Sequence, residues 1–136
     1  MQRFSEAAEN NKNHILLVLR ERLPPNARVL EIGSGSGQHA LHIAAEMKSI
    51  IWQPTERSEG MPDLEKNLSD YGSPNILGPL QLDLSSEQWP DTDTNCVYSA
   101  NVMHIINEKL GESLVRGVGK NLSEEGLFIL YGPYKY

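Results

Sequence analysis

The stretch Val29–Ala40, VLEIGSGSGQHA, sets three glycines, Gly33, Gly35 and Gly37, at alternate positions directly behind a short apolar run. A turn of that make-up joins a buried strand to a helix. The first N–H groups of the helix have no intrahelical partners there, and they sit at the positive end of the helix dipole. Glycine removes the Cβ that would hold a ligand away from this backbone, and it tolerates positive φ. A tight structural turn uses the same residues, so the neighbouring positions must decide between the two readings.

Spacing narrows the ligand. A dinucleotide turn, G-x-G-x-x-G, needs glycine where this chain has Gln38. A phosphate-binding P-loop needs a Lys-Ser/Thr pair after its last glycine, and none follows Gly37. Glu31, two residues ahead of Gly33, adds a carboxylate that would repel a pyrophosphate. The next acid at a strand end is Glu56, after SIIWQPTE (49–56), a strand ended by Pro54. A carboxylate there can accept both hydroxyls of a ribose, in NAD or in another adenosyl ligand; the alternative is a solvated loop acid. Asp83, in LQLDLS, can accept from an adenine amino group with Leu84 against the ring, or can serve as a helix N-cap.

The rest of the chain alternates helix and strand. Ile15, Leu16, Leu19 and Leu23 recur at helical spacing over 13–23, with Asn13 as N-cap and Pro24-Pro25 as the stop. ARVLEI (27–32) is a strand, and a helix from about Gly37 follows with Ala40, Leu41, Ala44 and Met47 on one face. Pro62 opens a third helix that ends at Gly72, with Leu64 and Leu68 inward. GPLQLDL (78–84) and NCVYSAN (95–101) are the next strands, Leu110, Leu114 and Val118 stripe a fourth helix, and Gly126 introduces a fifth strand, LFILYG. This pattern predicts an α/β fold: a Rossmann-like, doubly wound parallel sheet with helices on both faces. Such sheets bind ligands beyond the carboxyl ends of their strands.

Composition bounds the partners. The 136 residues form a single domain, 39% hydrophobic and 22% charged, without a low-complexity linker or internal repeat. A formal charge of −6 gives no broad electrostatic footprint for nucleic acid, so none is expected as partner. No apolar run approaches the roughly 20 residues that span a bilayer, so no membrane partner is expected either. The polar start MQRFSEAAENNKNH has no secretory h-region. The lone cysteine, Cys96, reads as a small buried thiol, and together these features point to the cytoplasm. No histidine–carboxylate group has metal-ligand spacing, so no metal is expected.

VLEIGSGSGQHA, an acid after the second strand and LDL after the third resemble the class I S-adenosylmethionine-dependent methyltransferases. AENNKNHIL, EIGSGSGQHA, WQPTE, LDLSSEQWP, NVMHI and LYGPYKY, in that order along nearly the whole chain, resemble the methyltransferase-like protein 26 family. The resemblance implies S-adenosylmethionine as cofactor, with Glu31, Gly33, Ser34, Gly35 and Gly37 around its methionine portion. It implies Glu56 on the ribose, where relatives more often carry aspartate, Asp83 and Leu84 framing the adenine, and Asn101 beside the transferable methyl. Relatives open with ERN, whereas this chain has ENN at Glu9–Asn11; Asn11 and Lys12 remain the candidates for a carboxylate contact there.

The cofactor brings an electrophilic methyl, so the protein must chiefly position an acceptor and exclude water. His104 is the best-placed candidate base, with packing as its other reading, and Tyr131 and Tyr134 of YGPY are candidates for shaping the acceptor site, with a place in the core as the other reading of Tyr131. The acceptor is expected to be a small molecule. The family fold continues past the fifth strand to an antiparallel pair that this chain lacks, so the expectation is a domain truncated at its C-terminus. LFILY would then be an exposed apolar edge, covered by a missing segment or by a second copy in a homo-oligomer. Two other functions stay open: a cofactor-binding module without catalysis, and an NAD-dependent oxidoreductase, which Gln38 and Glu31 disfavour.

Overall fold

The computed structural model describes residues 1–86, 89–90, 92–100, 108–122 and 126–131. In chain order the elements are α1 (Glu6–Arg22), β1 (Arg28–Ile32), α2 (Gln38–Glu46), β2 (Ile51–Gln53), β3 (Thr55–Glu56), a 3-10 turn (Ser58–Gly60), α3 (Met61–Tyr71), β4 (Leu80–Gln81), β5 (Cys96–Ala100), α4 (Glu108–Asn121) and β6 (Leu127–Tyr131). Four of the strands form one parallel sheet in the order β2-β1-β5-β6, and β3 and β4 form a separate parallel pair. The strands of this sheet with their helices give the α/β, Rossmann-like architecture that the alternating pattern predicts.

The sheet is buried on both faces, and the period of two along each strand divides the core. Val29, Cys96 and Tyr98 point toward α1 and α2, where they meet Ile15, Leu16, Leu19 and Ile43. Leu30, Ile32 and Val97 point the other way, toward Leu114 and Val118 of α4. On β6, Leu127, Ile129 and Tyr131 join the first cluster and Phe128 the second. Among the described residues β6 pairs only with β5, and Leu130 is exposed. Cys96 is buried, and burial pushes its thiol pKa up, in keeping with a packing role.

Three boundaries differ from the sequence pattern. The first helix begins at Glu6, not Asn13, with Ser5 as N-cap: Ser5 Oγ accepts from Ala8 N at 3.2 Å. Residues 6–14 carry no apolar stripe, so periodicity could show only the packed half, although Glu6 and Glu9 suit the dipole of the first turn. Pro54, which has no N–H for a ladder, splits the expected 49–56 strand into β2 and β3. The expected 78–84 strand shrinks to Leu80–Gln81, because beyond Leu82 the Asp83 side chain turns the chain through Ser85. The expected 95–101 strand is β5, and Asn101 lies outside the described residues. Among the described residues no helix is long and apolar enough to cross a membrane.

Candidate ligand cleft

β1 has β2 on one side and β5 on the other, so the chain reverses its direction of travel across the sheet at the end of β1. A cleft of about 820 Å³ opens at that switch point, where an open α/β sheet places its ligands. Its floor is the turn from β1 to α2. Gly33, Gly35 and Gly37 all have positive φ, of 72°, 59° and 85°. A Cβ at Gly35 would meet nothing within 4 Å, so this residue leaves its backbone open to a ligand. Gly37 does a different job: a Cβ there would lie 3.0 Å from Leu64 Cδ1, and the residue caps α2 in the left-handed conformation.

Hydrogen bonds from the second strand region hold this turn. Ser34 N donates to Thr55 O at 2.8 Å, and Thr55 N donates back to Ser34 Oγ at 3.1 Å. Thr55 Oγ1 donates to Glu31 O at 2.6 Å, and Gly35 N donates to Glu56 Oε2 at 2.7 Å. Glu56 is therefore tied to the turn, and its Oε1 accepts from Arg57 N at 2.8 Å. Pro54 explains why this works: by ending β2 it lets Thr55 and Glu56 pair with β4 and face the glycines.

Glu31 is buried at 3% exposure and accepts from Trp52 Nε1 at 3.1 Å. Loss of hydration pushes its carboxyl up to about 7, while bonds from Ser34 and Trp52 pull it down and the charge of Glu56 adds a little upward. Asp83 behaves differently. Its Oδ1 accepts from Ser85 N at 2.9 Å and from Ser85 Oγ at 2.7 Å, and these bonds hold its pKa below the usual carboxylate range. Asp83 thus caps a turn and also lines the cleft, and Leu84 beside it is buried in the α4-side core.

The fold brings Glu31, Gly33, Ser34, Gly35, Glu56, Asp83 and Leu84 to one cleft. Gly37 faces Leu64 and Leu68 instead. Asn11 lies on α1 outside the lining, and Tyr131 packs against the α1-side core with its ring centroid 5.8 Å from that of His14. Asn101, His104 and Tyr134 lie outside the described residues. The wall also contains residues that the sequence did not mark as ligand contacts: Arg3, Ser5, Gln38, His39, Arg57 and Glu59. Gln38 and His39 had a legible signal, since they are the first two residues of the helix that follows the glycine turn. Arg3 and Ser5 had none, because only tertiary packing carries them to the cleft.

His39 links the cleft wall to the core. Its Nε2 lies 3.3 Å from Ala8 O and its Nδ1 3.2 Å from the Tyr98 hydroxyl. Burial lowers its pKa, and a neutral ring with its proton on Nε2 satisfies both partners.

Solved structures share this fold. The S-adenosylmethionine-dependent methyltransferase SibL, in its apo form, superposes with a TM-score of 0.78 at 17% identity, over 91% of this chain and 36% of that chain. Human N-acetylserotonin methyltransferase, solved with S-adenosylmethionine, gives a TM-score of 0.75 at 14% identity over 92% and 34% of the two chains. The precorrin-6y C5,15-methyltransferase of Geobacter metallireducens gives 0.67 at 18% identity over 95% and 64%. The chain therefore spans little more than a third of the first two. At these identities the likeness establishes the fold. A family model described as "Protein of unknown function (DUF938)" matches residues 2–136.

Proposed function

The chain belongs to the DUF938 family, and from that premise and its fold we propose that it binds S-adenosylmethionine in the β1–α2 cleft and transfers the methyl group to a small-molecule acceptor. One observation carries the reading: Glu56 of the cleft wall accepts from Gly35 N at 2.7 Å, while the buried Glu31 lines the same cleft. Glu56 offers two oxygens to ribose hydroxyls. Glu31 offers negative charge where a sulfonium or ammonium group needs it and a pyrophosphate does not. The bare backbone at Gly35 gives such a ligand room. The likeness of the sequence to the methyltransferase-like protein 26 family, and the cofactor complexes among proteins of similar fold, support the same assignment.

When bound, the cofactor supplies a methyl group already activated by its sulfonium. The work of the chain is then positional. Gly33, Ser34 and Gly35 cradle the methionine end, Glu56 orients the ribose, and Asp83 and Leu84 bound the adenine side of the cleft. His104 is the proposed base where an acceptor needs deprotonation, with Asn101 beside the methionine and transferable methyl of the cofactor and Tyr134 near the acceptor; all three are read from the sequence. Tyr131, packed on the core beside His14, is proposed only to support that side.

Calorimetric titration with S-adenosylmethionine, S-adenosylhomocysteine and NADH tests the assignment. Saturable binding of the first two is expected, weakened about tenfold or more in Glu56→Ala, which removes charged acceptors from two hydroxyls. Binding of NADH without S-adenosylmethionine would overturn it. A second reading is cofactor binding without transfer. Tight cofactor binding with no turnover in an acceptor screen is its signature.

A further inference from the structure

The segment ahead of α1 is fastened beside the cleft by two side-chain amides. Asn67 of α3, 1% exposed, accepts from Gln2 N at 2.8 Å through Oδ1 and donates through Nδ2 to Gln2 O at 2.8 Å. The same Nδ2 donates to Ser36 O in the glycine turn at 2.8 Å. Gln38 treats Ser5 alike: Oε1 accepts from Ser5 N at 2.7 Å and Nε2 donates to Ser5 O at 3.1 Å. A side-chain amide presents a donor and an acceptor side by side, so each clamp grips a strap residue as a paired strand would.

Between the clamps Arg3 adopts a φ of 55°, the left-handed region that a residue with a Cβ enters at a cost. Such a conformation persists where the surroundings over-determine it, and here they fix the residues on both sides. The Arg3 side chain lies along the cleft wall. A Cβ built on Gly60 would stand 2.5 Å from Arg3 Nη1 and 2.6 Å from Glu56 Cγ, so the guanidinium and the Glu56 side chain converge over the bare backbone of Gly60. Among the described residues no ion pair involves Arg3. Its donors are therefore available beside the carboxylate that faces the ligand.

We propose that Arg3 is a ligand-contacting residue, donating to the ribose hydroxyl oxygens whose protons Glu56 accepts, and that residues 2–5 are a strap held over the cleft by Gln38 and Asn67. The proposal rests on the adenosyl reading of the cleft. A hydroxyl offers one proton and two lone pairs, so it engages a carboxylate and a guanidinium at once. Gln38 and Asn67 are positioning residues: they act by setting where Arg3 stands.

The intact protein is titrated with S-adenosylhomocysteine, adenosine and 2′,3′-dideoxyadenosine, for wild type and Arg3→Ala. Arg3 is exposed, so its truncation leaves the core untouched. Arg3→Ala is expected to weaken the first two ligands about tenfold. It should leave the dideoxy compound within about twofold, because the partner hydroxyls are already gone. An equal loss on all three ligands, or no loss, overturns the contact. Trypsin cleavage after Arg3 reads the strap: the bond should be cut at least about tenfold faster in Gln38→Ala than in wild type, and equal rates overturn the clamp. Wild type that fails to bind S-adenosylhomocysteine brings down the adenosyl reading and Arg3's role with it. Wild type that binds it while Arg3→Ala binds equally well removes Arg3 alone.

Discussion

At Glu31, folding takes a carboxyl out of water and pushes its pKa from 4.5 up to about 7. The neutral form is the one that the folded chain favours, so the stability this residue supports is full below about pH 4.5 and is lost as pH rises through about 7. Urea titrations at pH 4.5 and 8 are expected to show wild type losing about 3 kcal/mol relative to Glu31→Gln across that interval. Equal pH profiles for the two proteins would refute the assignment. In the proposed complex a sulfonium favours the ionised form. Affinity for S-adenosylmethionine should then rise with pH through 7 more steeply than affinity for S-adenosylhomocysteine, whose sulfur is neutral.

The glycines of the turn separate by the same reasoning. Gly37→Ala forces a side chain into a φ of 85° and to 3.0 Å from Leu64 Cδ1, and should cost about 1–3 kcal/mol in urea unfolding. Gly35→Ala meets no atom within 4 Å, so only the left-handed strain of about 1 kcal/mol applies, and the larger loss should appear in cofactor affinity. A Gly35→Ala protein that is badly destabilised yet binds normally would contradict this division. The three glycines looked equivalent in the sequence. Their neighbours in space, Leu64 for one and open cleft for another, are what distinguish them.

Among the elements, α1 has two unlike halves. Ile15, Leu16 and Leu19 are buried, whereas Ser5, Ala8 and the residues between them are held mainly by Gln38, His39 and the cap. Leu19→Ala should cost about 2–5 kcal/mol, since that side chain is wholly enclosed. Amides at 8–12 should exchange with solvent well before those at 16–20, as hydrogen exchange would register. This contrast also explains what the sequence could tell. Apolar periodicity located the second half of α1 and each buried strand, because burial and period are one signal. The first half of α1 depends on a serine cap and on Gln38 and His39 of α2, which no local pattern reveals. Glu31, Gly35 and Glu56 were legible as a site because their residue types are unusual at strand ends. Arg3 was not, since its position depends on contacts 33 and 65 residues away along the chain at Ser5 and Gln2.

For the molecule as a whole, a ligand that binds only the folded state must raise its melting temperature. At 100 times its dissociation constant the gain is about 2.7 kcal/mol, or roughly 10 °C for a domain of this size. Scanning calorimetry with S-adenosylhomocysteine should show that shift, and Glu56→Ala, bound about tenfold more weakly, should show about half of it or less at the same concentration. The architecture also sets the spacing between two acids of the cleft. Glu56 pairs with Gln81, Leu80 N donates to Pro54 O at 3.1 Å, and Leu82 N donates to Glu56 O at 2.9 Å. Glu56 and Asp83, both in the cleft lining, are thus joined by a two-rung ladder of backbone. That ladder is a gauge of fixed length. In the complex proposed above it sets how far the ribose contact stands from the adenine contact, and side-chain changes along the rim cannot recalibrate it.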